Sequence, residues 1–378
     1  MNYDAYIVGC GLTGSVIARA LAESGKKVVM FERRDHVAGN MYDEYDKNGI
    51  LVQKYGPHAF HTNKQHLVEY LQRFGEWEPY RLTCMVWMNG KFTPSPFNYQ
   101  TIDDYFPPEK AARIKACLET EFPGRTTATI VELLESKDAL VKEYADYLFE
   151  YDYKLYTAKQ WGVPPSEIDI SVLKRVPVRL TYDVGYFDDE FQILPKGGYT
   201  GILRNVISHE NITVHLNTNA CDHFYIENTE LHLDGQKTNA PVYYSGAPDE
   251  LFRYKFGELP YRSLRFEYET HELDSFQDAP IVAYPQEPDF TRITEYKKLP
   301  IQDVPGVTTI AREFPLQSGQ GAEPYYPLLT EENMQKYEMY RCEAEKVGNL
   351  HLCGRLGDYK YYNMDQALEK ALSKGNDK

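Results

Sequence analysis

The sequence predicts an α/β protein built around a Rossmann-like dinucleotide-binding domain, with a helical insert and an antiparallel β-sheet attached to it. Three observations lead to that class. A glycine fingerprint, GCGLTG at 9–14, lies between a strand pattern and a helix pattern. Helical periodicity runs through residues 101–155, and short alternating segments between 246 and 317 read as strands.

Residues 4–8 (DAYIV) read as a short buried strand that runs directly into GCGLTG. SVIARALAES (15–24) then has helical apolar spacing and stops at Gly25, and KKVVMFE forms a second strand ending at Glu32. In this βαβ start, Gly9, Gly11 and Gly14 have separate uses: the tight turn, the close approach to a pyrophosphate, and the packing of helix on strand. Glu32 follows Gly9 by 23 residues, where a carboxylate can accept both ribose hydroxyls.

TIDDYF, PPEKAARIKACLETEF, TATIVELLE and KDALVKEYADYLFEYDY then predict three or more helices, broken at Pro107, Pro108 and Pro123–Gly124. From about 172 the pattern alternates (VPVRLTYDVGYF), and ILPKGGYTGILRNVISHENITVHLNT reads turn, helix, strand, a return to the first domain. VYYSGAPDELF offers another strand to that domain, while SLRFEYETHEL, APIVAYP, FTRITEYKKL and GVTTIAREF read as an antiparallel sheet. At 354–372, GRLGDYKYYNMDQALEKAL puts Gly354 and Gly357 in a loop ahead of a helical pattern. Such a loop presents N–H groups and a positive dipole end, so the chain carries a second nucleotide grip. In two-dinucleotide-binding flavoproteins both grips serve one cofactor. The first takes the adenosine end; the second reaches the central phosphates and the isoalloxazine, with Arg355 as a phosphate-contacting cation.

Composition narrows the partners. The 378 residues carry 41 Lys+Arg against 56 Asp+Glu, a net charge of −15, which disfavours nucleic acid and anionic membranes. An anionic small substrate would have to meet arginines gathered locally. Six cysteines without a CxxC pair read as reduced thiols, not as a disulfide frame or a metal site. No leader pattern and no apolar run of ~18 residues stands out, which reads as a cytoplasmic protein. Thirty-two tyrosines suggest a wet, aromatic-lined pocket, because each buried hydroxyl needs a partner.

YTAKQWGVPP (156–165) sets Tyr156 and Trp161 at the edge of the helical insert, either as anchors of a helix end or as a platform for a flat base. Arg175 and Arg179 in LKRVPVRL and Arg292 in FTRITEYK stand apart in sequence, as do Tyr325, Tyr326, Tyr361 and Tyr362. Guanidinium groups so placed suit a diphosphate, although any one of them alone reads first as a surface ion pair. In GPHAFHT, His58 and His61 are three apart; no third metal ligand is evident, and each reads as a structural histidine or one placed over a cofactor ring.

These segments together resemble the UDP-galactopyranose mutase family of bacterial type. VGCGLTGSV, FERRDHVAGN, YGPHAFHT, YTAKQWG, KRVPVR with YDVGYF, LPKGGYTG, YRSLRFE, FTRITE, EPYYP and GRLGDYKYYNMDQA occur in family order over nearly the whole chain. GxGxxG is shared by many flavoproteins, whereas YTAKQWG, FTRITE and GRLGDYKYYNMD together are specific. The resemblance implies FAD, active when reduced, a UDP-galactose substrate and, as is usual in the family, a homodimer, with neither nucleic acid nor membrane as partner. It implies an isomerase that interconverts UDP-galactopyranose and UDP-galactofuranose through a covalent adduct of reduced FAD with the sugar anomeric carbon, without net redox change, for cell wall or lipopolysaccharide biosynthesis. The corresponding domains are 1–78, 194–245 and 318–378 for FAD, 79–171 for the helical substrate domain, and 172–193 with 246–317 for the sheet and a mobile loop.

By the same resemblance, Arg175 and Arg292 clamp the diphosphate, Tyr156 stacks on uracil, and Trp161 stands at the mouth of the site. Tyr186, Tyr326 and Tyr361 bond the substrate phosphates. Gly9, Gly11, Gly14, Glu32, Arg33, Asn40, Arg355 and Met364 contact FAD, and His58 and His61 lie against the isoalloxazine as catalytic candidates. Gly185 would hinge the loop. Asn363 stands where many relatives have aspartate, so a carboxylate there is excluded and the sugar preference can shift. An FAD-dependent oxidoreductase acting on a small amine would use the same grip, yet has less use for arginines among uracil-sized aromatics. A non-catalytic nucleotide-sugar sensor would bind UDP without turnover.

Overall fold

The computed structural model describes residues 3–161, 164, 166, 173, 177–316 and 323–376. Two apolar tetrapeptides begin its central sheet: β1 (Ala5–Val8) and β2 (Val28–Phe31), almost wholly buried, as strands covered on both faces must be. The helix between them, α1 (Leu12–Glu23), buries Val16, Ile17, Ala18 and Leu21 at helical spacing. Five strands pair in the order Ile212–His215, β2, β1, Val242–Tyr244, Leu350–Leu352, and every ladder is parallel. Helices Tyr199–Ile207 and Met364–Asn376 pack against α1. Phe224, Leu231, Ala344 and Val347 join Val8, Val242 and Leu350 in a second apolar cluster.

This sheet explains the second grip. Leu350–Leu352, from the far end of the chain, lies beside Val242–Tyr244, which lies beside β1. The loops after all five strands therefore leave from one carboxyl edge, where open α/β sheets bind their ligands.

The helical insert forms as expected, with helices Tyr99–Tyr105, Pro108–Glu121, Ile130–Leu134, Ala139–Leu148 and Lys154–Trp161. Asn98 and Thr129 each start a helix with a capping box. A π-helical turn, Phe149–Tyr153, interrupts the run just before Tyr156. Ile102, Ile114, Leu118, Val141 and Tyr144 form the insert's own core.

The second sheet differs from the expected one in membership and direction. It has seven strands, ordered Tyr326–Pro327, Tyr261–His271, Thr308–Leu316, Arg292–Glu295, Ile281–Ala283, Cys84–Met88, Lys91–Ser95. The last two come from inside the segment assigned to the helical domain, and Cys84–Met88 pairs parallel to Ile281–Ala283, so the sheet is mixed. The cause is local: Asn89 and Gly90, both at positive φ, make the two-residue turn of a hairpin between alternating strands. Two more segments depart from expectation. Thr127–Thr129, read as helix, pairs with Pro177–Arg179. Phe191–Pro195, divided between the sheet segment 172–193 and the returning segment from 194, pairs as one strand with Phe60–Thr62 and Trp77–Pro79.

Candidate active site

Gly9, Gly11, Gly14, Glu32, Arg33, Asn40, His58, Arg355 and Met364 line one cleft at the carboxyl edge of the parallel sheet. Two of its glycines are there by necessity. Gly9 has φ +94°, and a Cβ on it would lie 2.3 Å from Ser245 Oγ. A Cβ on Gly14 would lie 2.0 Å from the Gly9 carbonyl oxygen. The N-terminus of α1 has no side-chain cap and no acidic residue in its first turn, so its N–H groups and dipole remain open to an anion. Glu32 is buried at the tip of β2; it accepts from the N–H of Cys10 (2.8 Å) and of Arg34 (3.0 Å). A carboxylate retains further lone pairs beyond those two contacts. The uncapped helix, the glycine cradle and the buried acid fit a dinucleotide of the FAD type.

The rim of the cleft holds ionic contacts absent from the sequence reading. Arg33 pairs with Glu323 (2.9 Å) and Glu250 (3.6 Å). Arg34 donates to Glu323 (2.8 Å) and to Asn40 Oδ1 (2.9 Å), with its guanidinium 4.3 Å from the centre of the Tyr55 ring. Glu323 thus ties a segment close before the last helices to the tip of β2.

The two histidines separate. His58 lines the cleft, and its Nδ1–H donates to the Gly56 carbonyl oxygen (2.8 Å). Burial, helped by the charges of Arg355 and Arg292, pulls its pKa from 6.5 down to about 4, so the ring is neutral at ordinary pH. Unfolding therefore takes up a proton between those values, and stability contributed by the neutral ring is lost as pH falls from 6.5 towards about 4. The melting temperature should drop over that window, and drop less in His58→Asn; equal acid slopes in thermal melts of both proteins would refute this. His61 takes a different place. Successive strand residues face opposite sides, so His61 turns away from its buried neighbours Phe60 and Thr62. Its ring stacks on Phe187 (3.6 Å) and its Nδ1 meets Asp189 Oδ2 (2.8 Å), outside the lining of the cleft.

Arginines and tyrosines meet beside the cleft. Arg292 lies directly opposite Glu313 in the sheet register, and its Nε (2.8 Å) and a terminal nitrogen (2.6 Å) both donate to Glu313 Oε2. Glu313 Oε1 accepts from the Thr291 hydroxyl (3.0 Å). Burial opposes the charge on Arg292, but Glu313, with the Tyr156 and Tyr326 hydroxyls, raises its pKa, so it stays a cation. Tyr326 and Tyr361 stack at 5.7 Å. Arg355, which also lines the dinucleotide cleft, sits 5.1 Å from the first ring centre and 5.6 Å from the second. Arg262 lies 5.4 Å from the Tyr326 ring. Tyr186 is 41% exposed, yet desolvation by the surrounding groups pushes it up to about 12, with Cys84 adding to it and Arg292 opposing, which keeps that hydroxyl a donor.

Family models match at residues 152–361, described as UDP-galactopyranose mutase, and at 7–74, described as an NAD(P)-binding Rossmann-like domain. A probable UDP-galactopyranose mutase of Klebsiella pneumoniae is 35% identical, over 98% of this chain and 93% of its own. The chain belongs to the UDP-galactopyranose mutase family. It is therefore placed among isomerases that carry a Rossmann-like, flavin-type domain. A dTDP-fucopyranose mutase of Escherichia coli is 33% identical over 97% of this chain and 96% of its own. A crystal structure of reduced UDP-galactopyranose mutase shares the fold, with a TM-score of 0.72 and 18% identity over 99% of this chain and 95% of that one.

Of the residues the resemblance names, Tyr156, Tyr186, Arg292, Tyr326, Tyr361 and Arg355 come into one neighbourhood; Tyr156 and Tyr186 both feel the charge of Arg292. Arg175 lies outside the described residues, as does the side chain of Trp161, whose backbone ends its helix. Asn363 precedes the last helix, where its N–H donates to Gln366 Oε1 (3.0 Å). Gly185 is not at positive φ: it bridges to Thr83, and a Cβ there would lie 2.7 Å from the Arg81 guanidinium. Arg34, Arg262, Glu313 and Glu323 were missed. FERRDH and YRSLRFE did mark the first two segments, but their roles depend on contacts between distant strands. Among the described residues no helix is long and apolar enough to cross a membrane.

Proposed function

We propose that the protein is a UDP-galactopyranose mutase, interconverting UDP-galactopyranose and UDP-galactofuranose without net redox change. The observation that carries this reading is Arg355. It lines the dinucleotide cleft and also lies over the Tyr326 and Tyr361 rings, so the two sites share a wall. A nucleotide sugar seated on the tyrosines would lie beside the dinucleotide cleft. The two glycine loops, Glu32, Asn40 and Met364 would hold FAD, which in its reduced form would supply an electron-rich nitrogen nucleophile.

The chain's own groups do the rest. Tyr156 stacks on the uracil, and Arg292, fixed by Glu313, stabilises the charge that develops on the departing diphosphate. Arg175 joins it in that role by resemblance, with Trp161 at the mouth. Tyr186, Tyr326 and Tyr361 donate to the phosphates. Neutral His58, its Nδ1–H committed to Gly56, presents Nε2 as an acceptor at the cleft. Family membership supports a cytoplasmic homodimer that feeds galactofuranose into cell-surface glycans.

The test incubates dithionite-reduced protein with UDP-galactofuranose and follows UDP-galactopyranose by chromatography. Turnover is expected with reduced flavin only. Equal turnover with oxidised flavin, or stoichiometric consumption of oxygen with a small amine, would overturn the reading. The dTDP-fucopyranose mutase relative makes dTDP-fucopyranose the competing substrate to run alongside; a faster reaction with it would move the nucleotide assignment.

A further inference from the structure

Tyr156 and Arg292 stand on different bodies, one on the helix Lys154–Trp161 of the insert and the other on a strand of the seven-stranded sheet. Lys159 ties those bodies together. It follows Tyr156 by one turn of the same helix and reaches the 284–290 turn, where Nζ donates to the carbonyl oxygens of Tyr284 (2.7 Å), Phe290 (2.7 Å) and Glu287. An ammonium has three N–H donors, and this one has a carbonyl for each. The turn it closes runs straight into the Arg292 strand: Tyr284 N–H donates to Thr291 O (2.8 Å), and Thr291 N–H to Glu313 O (2.8 Å).

We propose that Lys159 is a positioning residue that fixes the separation of Tyr156 from Arg292, so that the base and the diphosphate of one nucleotide are gripped together. The inference rests on the mutase reading and names how its site is assembled. A half-buried lysine is an unfavourable choice for simple stability, since desolvation penalises the charge. Burial does pull the Lys159 pKa down to about 8, against Glu287 and Asp289 on the turn and Asp152 on the π-helical segment. Asp152 is itself buried, its carboxyl pushed up to about 7 by that burial with Lys159 pulling it back, so each charge is felt by the other. Perturbed groups of this kind concentrate at functional sites, and π-helical turns, like the one leading into this helix, do the same. Loss of the proton would remove the positive charge that draws in all three carbonyls.

The experiment measures UDP affinity of the flavin-loaded protein by calorimetry, with kcat, KM, flavin absorbance and Tm, for wild type, Lys159→Met and Lys159→Arg. Lys159→Met should weaken UDP binding and raise KM by about tenfold or more, as misplacement of a binding group does, with flavin content unchanged. Wild-type affinity should fall as pH rises past about 8, whereas Lys159→Arg, which keeps its charge, should bind UDP with a flatter profile. A Lys159→Met protein with a lowered Tm but wild-type UDP affinity would mean a structural lysine only and overturn the inference. So would identical pH profiles for wild type and Lys159→Arg, the comparison that decides if Lys159→Met does not fold. Wild-type turnover alongside an unaffected Lys159→Met sinks this inference alone; a wild type that neither binds UDP nor isomerises its sugar sinks the mutase reading as well.

Discussion

Arg292→Ala should lower kcat by about 10²–10³ while the protein keeps its full complement of flavin. The two halves of that expectation come from different places. Arg292 is absent from the lining of the dinucleotide cleft, so cofactor content has no reason to change. Its charge is kept in a half-buried position by Glu313, which is itself 3% exposed, and such a fixed cation stabilises developing phosphate charge without reorganising. Removing it also strands the Glu313 carboxylate, a defect that costs about 3–5 kcal/mol when a buried pair is broken. The double variant Arg292→Ala with Glu313→Gln separates the two effects: Tm should recover while kcat stays low. Arg292→Lys keeps a charge but loses the two-nitrogen contact and should fall between. Near-wild-type kcat in Arg292→Ala, measured with reduced enzyme and UDP-galactofuranose, would remove the diphosphate assignment.

What the sequence revealed was what is local. A strand, a glycine turn, a helix and an acid within thirty residues specify a βαβ unit by themselves, because each step is set by neighbours along the chain. The hairpin around Asn89–Gly90 is equally local, and its dipeptide between alternating strands is a strong signal, although it lies inside the segment 79–171 assigned to the helical domain. The other gaps are of a different kind. Nothing in LHLCGRLG says that its strand will lie beside Val242–Tyr244, and that single pairing puts the second grip on the same edge as the first. The Arg292–Glu313 pair depends on the register of two strands separated by a long connection. Lys159 finds its partners on a turn more than a hundred residues away. His61 stands apart from His58 for a related reason: spacing from His58 cannot tell which face of a short strand the ring will take.

Gly14→Val tests the cradle itself and should yield a colourless protein. The Cβ would be built 2.0 Å from the Gly9 carbonyl oxygen and 3.1 Å from Ile7 Cγ2, so α1 must move off β1. That movement carries the uncapped N-terminus of α1 away from the cleft, removing the N–H groups and dipole that a pyrophosphate would use. Overpacking of this sort costs about 1–3 kcal/mol in stability, so Tm should fall as well. A general weakness of the fold could mimic cofactor loss, and Gly25→Ala distinguishes the two. Gly25 ends α1 at φ +89° with nothing within 4 Å of its Cβ position. An alanine there carries backbone strain of about 1–3 kcal/mol but meets no neighbour. Its Tm should drop comparably while the flavin spectrum persists. If Gly14→Val binds flavin one to one, or if Gly25→Ala loses it equally, the close approach at Gly14 is not what holds the cofactor, and the glycine cradle must be reassigned to folding alone.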